Sequence, residues 1–87
     1  MALRIKQNVD LKELEKYGFE LNEEEKAYFN YDFGDLGGYD PVVIYTDDNE
    51  DKECIRIMQI GYETAPDFID NTLFDMITNN LVEKVKE

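Results

Sequence analysis

The run Asp47-Asp48-Asn49-Glu50-Asp51 puts oxygen ligands at alternate positions, the D-x-N-x-D opening of a calcium-binding loop. Asp47, Asn49 and Asp51 would take the first, third and fifth ligand positions. The sixth position needs glycine for its sharp turn and the twelfth a bidentate glutamate, and here they are Lys52 and Met58. The pattern therefore reads as a solvated hairpin turn with at most weak divalent-ion binding, and no metal or other cofactor is expected. Gly34-Asp35-Leu36-Gly37-Gly38 is rich in glycine, but no Lys-Ser/Thr follows it, it opens no recognisable helix, and its acidity would repel phosphate. Carboxylate pairs for acid/base catalysis can be drawn from so many acids. An 87-residue chain, however, rarely encloses a groove that desolvates one member and raises its pKa. Cys54 has no histidine to activate it, because the chain contains none, and it starts an apolar stretch that points to burial. On this inventory the protein is not an enzyme.

What remains is charge. The formal net charge is −12, and residues 20–51 hold eleven carboxylates against the single cation Lys26. Self-repulsion of this size raises the energy of a compact chain, so the field is expected to attract or imitate something. The same segment carries Tyr28, Phe29, Tyr31, Phe33, Tyr39 and Tyr45, which an acidic tail would lack, so the acids are placed on a folded, aromatic-rich sheet. Along a strand, residues two apart share a face about 6.7 Å apart, so carboxylates on neighbouring strands and turns can form a row resembling a nucleic-acid backbone in charge density. The candidates for such a partner-binding surface are Glu23, Glu24, Glu25, Asp32, Asp35, Asp40, Asp47, Asp48, Glu50 and Asp51, with Tyr28, Tyr39 and Tyr45 as apolar anchors. The expected partner is a basic protein, itself nucleic-acid-binding. Direct contact with nucleic acid or an anionic membrane is disfavoured, since phosphate contacts need clustered Lys and Arg. The plainer alternative is that the excess acid serves solubility.

Length and composition bound the fold. Eighty-seven residues suit one domain, and 43% hydrophobic with 13% aromatic residues lies above the disordered regime. No run reaches the roughly 18 apolar residues of a membrane span, and residues 1–6 lack an apolar signal region, so a cytoplasmic setting is expected. A lone cysteine fits a reducing compartment.

The elements follow from periodicity and punctuation. Residues 8–17 read as a short helix capped by Asn8 or Asp10, with Leu11, Leu14 and Tyr17 three apart and Gly18 as its stop. Residues 19–21 form a first strand and 22–26 a polar turn. Next comes an alternating strand with Ala27, Phe29, Tyr31 and Phe33 on one face and Tyr28, Asn30 and Asp32 on the other. Residues 34–41 read as a loop, 42–46 as a third strand, and 47–52 as an acidic turn. A fourth, most hydrophobic strand over 53–62 suggests a central position covered on both faces. Within it Arg56 either reaches the carboxylates of the neighbouring strand or faces solvent. Thr64 and Asp67 open an amphipathic helix of three to four turns with Ile69, Leu73, Phe74, Met76 and Ile77 at helical spacing, ended by Asn79-Asn80. Residues 81–85 are either a returning strand or a further helical turn. The economical architecture is a single α+β domain over residues 1–87, in which a four-stranded antiparallel sheet is flanked by an N-terminal and a C-terminal helix packed on one face, α-β-β-β-β-α. Phe29, Tyr31, Phe33, Phe68 and Phe74 are expected in its core.

The opening Ile5-Lys6-Gln7-Asn8-Val9-Asp10-Leu11-Lys12-Glu13-Leu14-Glu15-Lys16-Tyr17-Gly18-Phe19 and the closing Leu81-Val82-Glu83-Lys84-Val85 resemble the ends of short uncharacterised proteins encoded by phages and prophages of Gram-positive bacteria. The resemblance covers about a quarter of the chain, excludes the acidic middle and carries over no site residues. It implies a small accessory protein in the host cytoplasm that acts by binding host machinery; taken with the acidic surface, the expectation is a module that docks on a basic host protein as a DNA-mimic inhibitor. A different expectation is a structural, self-associating domain in which the aromatic strand face or a free sheet edge pairs two copies as a homodimer, charge limiting further aggregation.

Overall fold

The opening and closing strands pair with each other. In the computed structural model, which describes residues 2–30, 40–61 and 67–85, strand β1 (Ala2–Ile5) runs antiparallel to the strand Val82–Val85, with Ala2 opposite Val85 and Ile5 opposite Val82. Arg4 and Glu83 face each other in this register and form a 2.7 Å ion pair. Ile5 is fully buried and Val82 nearly so, which anchors this two-stranded sheet to the core.

The second sheet has four antiparallel strands in the order β2 (Glu20–Asn22), β3 (Ala27–Asn30), β4 (Val42–Tyr45) and β5 (Met58–Gln59). The last strand of the chain, Val82–Val85, is β6. β1 also touches the end of the larger sheet, through an antiparallel bridge between Arg4 and Ile57 and the bond Ile5 N–H to Arg56 C=O at 2.9 Å. The expected α-β-β-β-β-α architecture with one four-stranded sheet is therefore corrected. The chain is α+β with two antiparallel sheets, and an unforeseen N-terminal strand accounts for the second. Residues 81–85 resolve to the strand alternative, with β1 as partner.

The N-terminal helix is a 3₁₀ turn, Leu11–Tyr17. Asp10 caps it by accepting from Lys12 N–H at 2.9 Å, and Gly18, at φ 89°, ends it in the left-handed region that glycine adopts without steric cost. Side chains three apart eclipse in a 3₁₀ helix, so Leu11, Leu14 and Tyr17 fall in one line against the core. The C-terminal helix is likewise two short pieces in continuous sequence, π-helical at Phe68–Leu73 and α-helical at Phe74–Thr78. Phe68, Leu73 and Met76 are buried, and Phe68 packs edge-on against Phe19 with centroids 6.2 Å apart. Phe74, at 64% exposure, Ile77 and Ile69 lie outside the core, against expectation.

Two further expectations are corrected. The inward side chains of β3 are Tyr28 and Asn30, with Ala27 also buried, whereas Phe29 is only half-buried. Tyr28 stacks in register with Ile44, and Ile44 with Met58, as the core face of the sheet. Tyr31 and Phe33 lie outside the described residues. The fourth strand shrinks to Met58–Gln59 because Arg56, at φ 65°, turns the chain between the bridging residues Ile55 and Ile57. It forms the edge of its sheet beside β1, and Ile60 is partly exposed. Among the described residues, no helix is long and apolar enough to cross a membrane.

Candidate acidic interface

The β3–β4 register places Ala27 opposite Tyr45, so the turn before β3 and the turn after β4 emerge at the same end of the sheet. The first turn, residues 23–26, is closed by Asn22, whose side-chain oxygen accepts from Glu25 N–H at 3.0 Å, and by Lys26 at φ 53°. Lys26 C=O points into the second turn and accepts from both Thr46 N–H, at 3.0 Å, and Thr46 Oγ1–H, at 3.1 Å.

Asn49 fastens the two turns together. Its side-chain amide donates to Glu25 C=O and Lys26 C=O, each at 3.0 Å, while its oxygen accepts from Asp51 N–H at 2.9 Å. It is 9% exposed, in a segment otherwise made of exposed acids. Ionised carboxylates cannot donate, so among the side chains of residues 47–51 only this amide can satisfy carbonyls of the facing turn. Glu23, Glu24, Glu25, Asp48, Glu50 and Asp51 are consequently held around one hydrogen-bonded junction, all exposed. Glu24, Glu25 and Glu50 line a shallow concavity of ≈ 270 Å³ with Asn49 and Lys26. Glu23 and Asp48 line a neighbouring groove of ≈ 490 Å³ with Leu11, Leu21 and Tyr28.

Asp47 has a different part. Arg56 grips its carboxylate with two bonds, Nε–H to Oδ1 at 2.7 Å and Nη2–H to Oδ2 at 2.8 Å, and spends Nη1 on Lys6 C=O at 2.6 Å and Val9 C=O at 2.9 Å. Arg56 is 6% exposed, whereas the Asp47 side chain remains 55% exposed. The guanidinium beside it holds the Asp47 carboxyl below the usual carboxylate range, and the same pairing raises Arg56. This fork joins the β4 turn to the segment after β1, with a geometry that suits arginine and not lysine. Asp47 is thus a structural partner as much as a displayed charge. With its carboxylate on Arg56 and the Asn49 amide on backbone, two of the three calcium-type ligand positions are already engaged.

The remaining candidates are dispersed. Asp40 precedes β4 at the opposite end of the strand, its side chain closely flanking Gly61, and so stands apart from the acidic turns. Tyr28 is 4% exposed, and burial raises its phenol pKa, so it is a core residue whose outer edge reaches the groove rather than a free anchor. Tyr45 is half-buried on the outer face, next to the turns. Asp32, Asp35 and Tyr39 lie outside the described residues. Burial, then the Asp51 carboxylate, push the Cys54 thiol up, away from a reactive thiolate. Sequence reasoning did not single out Asn49 as the fastening residue. The available signal was a lone amide among carboxylates in a turn, a position where Asn bonds nearby backbone. No protein-family model, curated protein or solved structure matches this chain.

Proposed function

We propose that the chain is a non-enzymatic binding module that presents the joined acidic turns to a basic protein. The observation that carries this is the Asn49 junction: six exposed carboxylates are drawn to one end of the sheet and held there by hydrogen bonds from the Asn49 side-chain amide to backbone carbonyls, although their mutual repulsion favours separation. Preorganised charge of this kind accelerates encounter with a positively charged surface and rejects acidic ones. The arrangement suits a basic pocket or short groove on a nucleic-acid-binding protein, where the carboxylates would occupy phosphate positions. An accessory inhibitor of host machinery is a role of this type.

The edges of the larger sheet give little support to self-pairing. The outer strand β2 is three residues long and carries Glu20, and β5 is flanked by β1. The experiment is capture of basic proteins from bacterial lysate by the tagged chain at about 50 and about 500 mM salt, where the screening length falls to a few ångströms. A variant with Glu23, Glu24, Glu25, Asp48, Glu50 and Asp51 changed to amides runs alongside. Specific partners are expected to be lost both at high salt and in the variant. Capture indifferent to both changes refutes the proposal.

A further inference from the structure

The C-terminal helix leaves three large apolar side chains in solvent, with Phe74 64% exposed, Ile77 51% and Ile69 40%. Their alignment follows from the π-helical Phe68–Leu73 stretch. Hydrogen bonds spanning five residues bring Ile69 into line with Phe74, and Phe74 and Ile77 are then neighbours three apart within the α-helical turn. A regular α-helix would instead align Ile69 with Leu73, which is buried. The irregular turn thus produces one exposed apolar strip beside the buried Phe68, Leu73 and Met76. Asp67, Asp70 and Asp75 are exposed on the same helix, and residues 67–78 include no lysine or arginine. An exposed apolar strip on a helix whose charges are all of one sign, with Asp70 at its flank, marks an interaction surface.

We propose that this strip docks a basic amphipathic helix of a partner protein, whose apolar side chains pack on Ile69, Phe74 and Ile77 while its lysines or arginines meet Asp70 at the flank and the uniformly negative field of a helix that also carries Asp67 and Asp75. Charge complementarity selects this occupant. A second copy of the chain would set aspartates against aspartates and a net charge of −12 against another, which like-charge repulsion opposes. The surface uses none of the carboxylates of the two turns, so it stands or falls separately from the binding function proposed for them.

The test titrates the full-length protein into a fluorescein-labelled peptide of about five helical turns, made of leucine and lysine with the leucines on one face, and follows anisotropy. A peptide of the same composition in shuffled order keeps the charge and loses the apolar face. The amphipathic peptide is expected to bind at least about tenfold more tightly than the shuffled one, and Phe74→Ser and Ile77→Ser each to weaken it by about tenfold. The paired change Glu20→Gln with Glu53→Gln, at exposed positions outside both proposed surfaces, is expected to leave its affinity within about twofold. Equal binding of the two peptides, no binding of the amphipathic one, or indifference to Phe74→Ser overturns the proposal. A dimer in sedimentation velocity that Phe74→Ser abolishes overturns it in favour of a second copy. Circular dichroism and the melting temperature verify that each variant is folded, and if Phe74→Ser is not, Ile77→Ser decides by the same criteria.

Discussion

Replacing Asn49 by alanine removes the fastening between the two acidic turns, and its cost can be worked from three hydrogen bonds. Two are donated to Glu25 C=O and Lys26 C=O at 3.0 Å and one is accepted from Asp51 N–H at 2.9 Å. Each such bond contributes a net of about 1 kcal/mol. Lys26 C=O keeps its two bonds from Thr46, and Glu25 and Asp51 belong to exposed turns where water can replace the lost partner. The full penalty of an orphaned buried group therefore does not apply. Separation of the carboxylates recovers part of the loss, so the net is about 2 kcal/mol, a fall of roughly 10 °C in melting temperature for a domain of this size. Asn49→Asp preserves the side-chain volume but deletes both donors and turns a negative oxygen toward two carbonyls, which makes it worse than alanine, at about 3 kcal/mol. Urea unfolding followed by tyrosine fluorescence and circular dichroism measures both variants. Amide exchange adds a local readout: Asp51 N–H loses its acceptor and exchanges faster, while Thr46 N–H, bonded to Lys26 C=O, stays protected. A melting temperature for Asn49→Ala within about 2 °C of the parent, or an Asn49→Asp protein as stable as the parent, refutes the assignment of Asn49 as the junction.

Arg56→Ala forfeits four hydrogen bonds from a buried guanidinium, and because Asp47 is half-exposed and rehydrates, the expected loss in urea unfolding is about 3 kcal/mol. Arg56→Gly loses about 1 kcal/mol less than Arg56→Ala, since φ 65° is the left-handed region that glycine tolerates. The Asp47 carboxyl titrates lower folded than unfolded, so its stabilisation is fully present above the ordinary carboxylate value and fades as pH falls through the depressed one. Urea midpoints measured across the acid range should therefore decline less steeply for Asp47→Asn than for the parent. Phe68→Ala, at a fully buried site against Phe19, is expected to cost about 3–5 kcal/mol by thermal or urea unfolding, while Phe74→Ala, in solvent, stays within about 0.5 kcal/mol.

Local signals were legible wherever one residue type dictates the backbone. Asp10 and Gly18 bound their helix as expected, and the acidic turns fall between the strands that periodicity located. The three-residue spacing of Leu11, Leu14 and Tyr17 even contains the 3₁₀ geometry, because such spacing without i+4 partners aligns only when three residues make a turn. Failures came where period alone was asked to choose a face. Alternation correctly separated Tyr28 and Asn30 from Ala27 and Phe29 but could not tell which set meets the core. Asn30 turns inward because its amide bonds Tyr17 C=O at 3.1 Å, a partner 13 positions away. Helical spacing likewise grouped Ile69, Phe74 and Ile77 with Leu73 and Met76, since nothing in an apolar pattern announces a π-helical turn.

The acidic character, the α+β composition and the positions of the turns are properties of residue type and short-range spacing, so the chain by itself determines them. Which carboxylates stand together is decided by strand register and by bonds between residues far apart in sequence: Asn49 reaches a turn 23 and 24 residues earlier, and Arg56 reaches carbonyls 47 and 50 residues earlier. The same holds for β1, four residues whose pattern is too brief to mark a strand until β6 arrives from the other end of the chain to supply its hydrogen bonds. A strand is stabilised by its neighbour rather than by itself, so the two-sheet arrangement, the site of the acidic junction and the exposed strip on the C-terminal helix exist only in the folded protein.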